Sequence, residues 1–352
     1  FRPTMVMRSL RLLWPFWNIL WHYLVFVSCE NSIIPFINLE NESEMELAQE
    51  IRRACQETGF FAISNHGVNA TVIQQAWDAS RAFFDLGIEE KQKAISYNTT
   101  EYPYGYEQSE SLRRGKAHDQ DSSGEKEESS HPDLKETFAI GPSHPDSGMP
   151  PRRFPNQPSE FKQAVVSYYS AMEDLASRLL GLFAISLELP PDWFQDKFDK
   201  HQSALRLLNY PHLNDQLEPA PGQLRAGAHT DYGALTILKS GGPGLQVLLN
   251  GEWVDVPYLE DAFVINVGDL MQRWTNDKWV STMHRVVVPP RDGKNHRRMS
   301  IAFFVNMNGE AQVQPIESCV SAQHPAKYGT ITAGQHLMNK HLASMGLLRD
   351  EL

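Results

Sequence analysis

Cysteine is scarce in this chain. Cys29, Cys55 and Cys319 are the only three, at no metal-binding spacing. A disulfide framework and a cysteine zinc site are therefore excluded, and free thiols point to a reducing, cytoplasmic setting. Positive charge is also short. Lys and Arg number 32 against 43 Asp and Glu, a net charge of −11. The one basic cluster, His296-Arg297-Arg298, is too short to track a phosphate backbone, so no nucleic-acid partner is expected. The run Gly241-Gly242-Pro243-Gly244 contains no lysine and opens no helix, which argues against phosphate binding. No internal repeat is visible.

A clean membrane span is missing too. Leu10 to Val27 is apolar and follows Arg2 and Arg8, the layout of a signal peptide or anchor, but Pro15, Asn18 and His22 interrupt it. It falls short of the ~20 apolar residues a spanning helix needs. The chain opens on Phe1, and translated non-coding sequence or a cloning remnant explains residues 1–32 as readily as an anchor does. This segment is set aside from the fold, and membrane association is not expected.

What remains suits one large soluble core, with 41% apolar residues in a chain of 352. Ile33 to Leu39 reads as a short strand. Glu44 to Thr58 has apolar residues at helical spacing and stops at Gly59. Phe60 to Ile63 is a strand, Asn65-His66-Gly67 a turn, and Ala70 to Leu86 a second amphipathic helix. Between Arg113 and His131 only Lys, Asp, Glu, Ser, Gln and Gly dominate, so residues 113–131 are expected to be a flexible surface insertion. A long helix follows from about Glu160 to Leu187.

Beyond Ala204 the pattern changes to short β-rich runs: 205–208, 235–238, 245–249, 253–256, 262–267, 280–288 and 299–304. Asn250-Gly251 between two of them is a strong hairpin signal. Many short strands with turns between them predict a barrel or jelly roll. A last helix is expected from Ala333 to Met345.

Three residues in this β-rich part have metal-ligand chemistry. On extended backbone, residues i and i+2 share a face, so His229 and Asp231 of His229-Thr230-Asp231 can chelate one ion. His284 stands in another strand-like run, Ser281 to Val288. Two imidazoles and one carboxylate form the facial triad expected of non-haem Fe(II) oxygenases. An H-x-D pair alone is weak, being more often surface or structural. The strand-borne His284 and the nearby Arg298-Met299-Ser300 strengthen it. Arg298 and Ser300 share a strand face and could hold a carboxylate; the competing reading is an exposed arginine paired with an acid. Tyr210 could add its phenol to the same carboxylate, or simply pack in the core. His66, His201, His212, His324, His336 and His341 read as structural, as do Trp253, Trp274 and Trp279.

Several stretches resemble a known family. Gln56 to Val68 (QETGFFAISNHGV) looks like the N-terminal signature of the isopenicillin N synthase-like branch of the Fe(II)/2-oxoglutarate-dependent dioxygenases. Ala228 to Leu238 is similar to that family's first iron motif. Asn266-Val267-Gly268-Asp269-Leu270, Thr275-Asn276-Asp277 and Ser281 to Val286 resemble the second, and Arg298-Met299-Ser300 matches the co-substrate motif. The resemblance spans about residues 33–345.

It implies a mainly β protein with flanking helices around a double-stranded β-helix (jelly-roll) core. Residues 33–200 would form a supporting helical and strand region, and residues 201–345 the oxygenase domain. The implied reactants are Fe(II) on His229, Asp231 and His284, 2-oxoglutarate on Arg298, Ser300 and Tyr210, and O2. The expected reaction hydroxylates or desaturates a small organic metabolite, releasing succinate and CO2, and a monomer is expected. Isopenicillin N synthase also carries an R-x-S, used there for the substrate's own carboxylate, so a 2-oxoglutarate-independent oxidase stays open here. So does a non-catalytic small-molecule-binding barrel. A zinc hydrolase fits less well, because no general base stands out.

Overall fold

The computed structural model describes residues 33–40, 43–94, 104–108, 132–213, 219–290, 296–344 and 346. The N-terminal apolar run and the 113–131 segment lie outside them. Among the described residues no helix is long and apolar enough to cross a membrane.

The chain opens with β1 (Phe36–Asn38), shorter than the apolar run suggests, then α1 (Glu44–Glu57). Ser43 caps α1 by accepting from the Glu46 amide, and the Glu46 side chain accepts from the Ser43 amide in return. Leu47, Ala48, Ile51, Ala54 and Cys55 make its buried face, and Gly59 (φ +67°) ends it. Next come β2 (Phe60–Ser64), α2 (Ala70–Phe84), the short α3 (Ile88–Gln92), β3 (Gly105–Glu107) and β4 (Glu136–Ile140). The long α4 (Phe161–Ser186) and short α5 (Gln195–Phe198) lead into the β-rich part.

That part runs β5 (Ala204–Tyr210), β6 (Ala226–His229), β7 (Leu235–Ser240), β8 (Leu245–Leu249), β9 (Glu252–Asp255) and β10 (Phe263–Val267). It continues with α6 (Asp269–Trp274), β11 (His284–Val286), β12 (Arg298–Val305), β13 (Gln312–Val313), β14 (Ile331–Thr332) and α7 (Ala333–Ser344). The Asn250-Gly251 hairpin joins β8 and β9, both residues at positive φ (52° and 84°).

One expected strand shrinks. Of 280–288 only β11 pairs in a ladder. Val280 N–H bonds Cys55 O of α1 and Ser281 N–H bonds the Gln272 side chain of α6, so helix groups take backbone donors that a ladder would need, and the Thr282 hydroxyl anchors the segment to Thr58 O.

Two sheets face each other. The larger has eight strands in the order β1-β2-β10-β7-β12-β5-β4-β3, and the smaller has four, β6-β11-β8-β9. They form a jelly-roll core that does not close into a continuous barrel. Side-chain parity divides the large sheet into two faces. Phe61, Ile63, Leu205, Leu207, Ile237, Ile265, Ile301 and Phe303 pack against the helical layer dominated by α4. Phe60, Ala62, Leu208, Tyr210, Val264 and Ala302 face the small sheet with Leu245, Val247 and Val286. Both faces are covered, which is why these strands read as nearly continuous apolar runs. Between the sheets lies a cavity of about 280 Å³.

Candidate active site

The register across the small sheet brings His229 and His284 together as directly opposed residues of β6 and β11. Their ring centroids are 4.3 Å apart. Asp231 lies two residues past the end of β6. One ligand atom from each of the three residues lies within 4.8 Å of the others. The His229 and His284 Nε2 atoms stand 3.8 Å and 3.7 Å from Asp231 Oδ1.

The remaining polar atoms of the triad are already engaged, which bears on whether an ion fits. His229 Nδ1 is 2.8 Å from Gly227 O and His284 Nδ1 is 3.1 Å from Thr282 O. Carbonyls only accept, so both Nδ1 atoms carry a proton and both Nε2 atoms are turned toward Asp231. Asp231 Oδ2 accepts from Thr236 Oγ1 (2.5 Å) and Asn266 Nδ2 (2.7 Å), leaving Oδ1 toward the imidazoles. Burial pushes the Asp231 carboxyl up. The two imidazoles and the Thr236 and Asn266 hydrogen bonds outweigh it and hold the group below its usual range. A carboxylate held in its ionised range and two imidazole Nε2 atoms facing it suit a divalent transition ion, and the set fits Fe(II).

The backbone fixes this corner. Asp269 N–H donates to Asp231 O (2.7 Å), Gly268 N–H to Ala234 O and Ala234 N–H to Val305 O. A Cβ on Gly268 would stand 2.2 Å from Gly233 O, and one on Gly233 would stand 2.4 Å from Asn306 Oδ1.

At the other end of the cavity Arg298 pairs with Tyr210 across β12 and β5, its guanidinium carbon 5.1 Å from the ring centroid. It is 3% exposed. Nη2 donates to Ser240 Oγ (2.8 Å), Nη1 to Ser300 Oγ (3.4 Å) and Nε to Gly242 O (3.2 Å). These partners are hydroxyls and a carbonyl. Among the described residues no carboxylate forms an ion pair with it, against the reading of an arginine matched to a protein acid. Burial lowers its pKa, with the Tyr210 phenol acting the other way. His229, Asp231, His284, Arg298, Ser300 and Tyr210 all line the one cavity.

Several wall residues carried no signal in the sequence. Thr236 and Asn266 steer Asp231, although both stand inside stretches that carry the family resemblance. Ser240 and Gly242 steer Arg298. Lys135 lines the wall and ion-pairs with Asp133 at 3.1 Å. Leu337, Met338 and His341 of α7 close one side. That helix is held to the metal corner by His336 Nε2 on Tyr232 O (3.2 Å) and Lys340 on Asp269 (3.4 Å). Of the histidines read as structural, His66 accepts from Val68 N–H and His201 meets Glu173 at 3.0 Å, whereas His341 lines the cavity.

A jelly roll holding two imidazoles and a carboxylate beside a buried, acid-free arginine defines a non-haem iron oxygenase. Comparison with known proteins narrows the class. Residues 34–161 match the family described as non-haem dioxygenase in morphine synthesis N-terminal, and residues 202–307 match the 2OG-Fe(II) oxygenase superfamily. The chain is 31% identical to the 2-oxoglutarate-Fe(II) type oxidoreductase hxnY of Emericella nidulans, over 89% of this chain and 88% of that one. It is 32% identical to the 2-oxoglutarate-dependent dioxygenase tropC of Talaromyces stipitatus, over 87% and 91%. The crystal structure of a full-length Neurospora crassa protein in complex with alpha-KG and thymine superposes with a TM-score of 0.76 at 30% identity, over 89% and 98%. The chain belongs to the Fe(II)/2-oxoglutarate-dependent dioxygenases. It is an oxidoreductase that uses Fe(II), 2-oxoglutarate and O2 to oxidise a small metabolite.

Proposed function

We propose that His229, Asp231 and His284 hold Fe(II), and that Arg298, Ser300 and Tyr210 hold the far carboxylate of 2-oxoglutarate. The observation that carries the reading is complementary engagement. Every triad atom not needed for an ion already has a hydrogen-bond partner, while the buried guanidinium at the far end of the same cavity has none that is anionic among the described residues. A buried cation without a counter-charge is costly, and a ligand carboxylate relieves that cost. Fe(II) held there would activate O2, the oxidant, so that decarboxylation of 2-oxoglutarate to succinate and CO2 is coupled to oxidation of a substrate C–H bond.

The protein's own contribution is placement. The Gly227 and Thr282 carbonyls fix the imidazole tautomers, and Thr236 and Asn266 aim the carboxylate. Ser240 and Gly242 hold the guanidinium beside the Tyr210 ring. The apolar inner faces of the two sheets keep water from the reacting end. Hydroxylation or desaturation of a compact metabolite fits this chamber. The relatives named above are 2-oxoglutarate-dependent, which favours this reading over a 2-oxoglutarate-independent oxidase and over a silent barrel. The domain division at about residue 200, with residues 201–345 carrying the site, is part of the same proposal.

The test combines binding with turnover. Anaerobic equilibrium dialysis should show one Fe(II) per chain in the wild type and none retained by Asp231→Ala, with circular dichroism unchanged. Succinate should form in step with oxidised product. Turnover without succinate would transfer the R-x-S to the substrate and establish the oxidase reading.

A further inference from the structure

A second buried arginine stands behind the Arg298 end of the cavity. Arg225, one residue before β6, is 3% exposed, and the iron and co-substrate contacts proposed above make no use of it. Its guanidinium carbon lies 5.9 Å from the centroid of the Tyr210 ring, and that of Arg298 lies 5.1 Å from the same centroid. Two cations therefore share one phenol.

The hydrogen bonds of Arg225 all go to backbone carbonyls. Nη2 donates to Pro211 O (3.2 Å) and to His296 O, and its amide donates to Val286 O (3.0 Å). Nε is buried without a hydrogen-bond partner among the described residues. No carboxylate of the described residues forms an ion pair with it. Asp133, which reaches β6 by accepting from Gly227 N–H, is matched by Lys135 at 3.1 Å. Burial and the charge of Arg298 lower the Arg225 pKa to about 10, with Tyr210 acting the other way, so the group stays protonated at neutral pH. Two like charges in a desolvated corner repel, and an anion placed beside them relieves the cost.

The position of Arg225 directs that effect to one end of the cavity. Pro211 follows Tyr210 at the end of β5, and His296 stands two residues before Arg298. Arg225 thus ties the small sheet to the ends of both strands that carry the carboxylate contacts. It does not itself line the cavity, so it acts on a ligand through these neighbours and through its charge. Resting on the co-substrate position proposed above, we infer that Arg225 is a positioning residue that makes this end of the cavity selective for a 2-oxo acid with a second, distal carboxylate. Charge acts across several ångströms of low-dielectric protein, so Arg225 favours a dianion over a monoanion without touching either. A purely mechanical tie would affect the two alike.

The full chain, loaded anaerobically with Fe(II), tests this by titration calorimetry, using displacement where binding is weak. The probes are 2-oxoglutarate and 2-oxopentanoate, which carries a methyl group in place of the distal carboxylate. The wild type should prefer 2-oxoglutarate by about 30-fold or more. Arg225→Gln should cut that preference about tenfold, through weaker 2-oxoglutarate binding, with 2-oxopentanoate moving less than about twofold. Arg225→Lys keeps the charge and should hold the preference within about threefold of the wild type, although a point charge replaces a planar fork. Arg225→Met repeats the neutral arm should the Gln variant lose its circular dichroism. An unchanged preference in the neutral variant, equal losses for both acids, or a Lys variant that falls as far as the neutral one overturns the inference. Unfolding of both neutral variants makes Arg225 a structural tie and overturns it as well. A wild type with no preference for 2-oxoglutarate strikes the co-substrate reading itself, whereas a wild-type preference that survives Arg225→Gln strikes only the Arg225 assignment.

Discussion

Arg298 and Asp231 show how single residues at this site depend on their neighbours. Losing the Arg298 guanidinium removes a charge-assisted contact in a desolvated setting, a loss on the order of 2–5 kcal/mol. Arg298→Ala should therefore raise the 2-oxoglutarate concentration needed for half-maximal turnover by roughly 30-fold or more. Affinity for the oxidised substrate, measured with 2-oxoglutarate saturating, should change little. Ser300→Ala removes one neutral hydrogen bond and should act the same way but more weakly, by about 1 kcal/mol. Should the Arg298 variant bind 2-oxoglutarate normally and lose the organic substrate, the co-substrate role is wrong. Asn266 touches no ion, yet it orients Asp231 Oδ2. Asn266→Ala should lower Fe(II) affinity roughly 10- to 100-fold, the usual cost of losing a ligand's supporting hydrogen bond, as read by competition with a coloured chelator. An unchanged affinity would leave Thr236 alone responsible for the carboxylate's aim.

Between elements, the β6–β7 connection and α7 decide whether the triad keeps its shape. The connection is squeezed between Gly268 and β12, with no room for a Cβ at Gly268. Gly268→Ala must displace backbone that also carries Asp231, and overpacking of this kind costs about 1–3 kcal/mol. The urea midpoint should fall accordingly, with weakened Fe(II) binding; a variant with wild-type midpoint and affinity would show that the corner yields freely. Helix α7 is pinned beside this loop by His336. Burial, together with Lys340 and Arg273, lowers the His336 pKa from 6.5 to about 3, against the Tyr232 carbonyl. Between those two values the unfolded chain binds a proton that the folded chain does not. Stability from this group is thus complete above pH 6.5 and falls as pH drops toward 3, by up to about 1.4 kcal/mol per pH unit. The melting temperature of His336→Gln should accordingly decline less between pH 6.5 and about 5 than that of the wild type. Parallel declines would place the acid sensitivity elsewhere.

For the whole molecule, the proposed boundary near residue 200 divides the chain but not the sheet. β2 pairs with β10, and β4 pairs with β5, so strands from before residue 200 flank the β-rich part on both sides. Removing them would expose two strand edges and the apolar face now covered by α4. A fragment of residues 201–352 should therefore fail to fold, giving no cooperative urea transition and strong binding of a hydrophobic dye. In the full chain, tryptophan fluorescence and far-ultraviolet circular dichroism should report one coincident transition. A stable isolated fragment that binds Fe(II) would show the two regions to be independent.

Local patterns carried much of this protein in the sequence itself. The Ser43–Glu46 cap and the spacing from Leu47 to Cys55 specified α1, Asn250-Gly251 specified its hairpin, and the i, i+2 parity of Arg298 and Ser300 placed both on the cavity face. Each depends on neighbours a few residues apart, where backbone geometry alone decides which side chains meet. The histidine-carboxylate spacing and the R-x-S pointed to iron and a carboxylate for the same reason. Contacts across long separations were decided only by the tertiary structure. The opposition of His229 to His284, the steering of Asp231 by Asn266 and the shrinking of 280–288 to β11 all depend on which elements become neighbours. Strand order and register are set by burying both faces of the large sheet at once, a condition no local window of the chain contains.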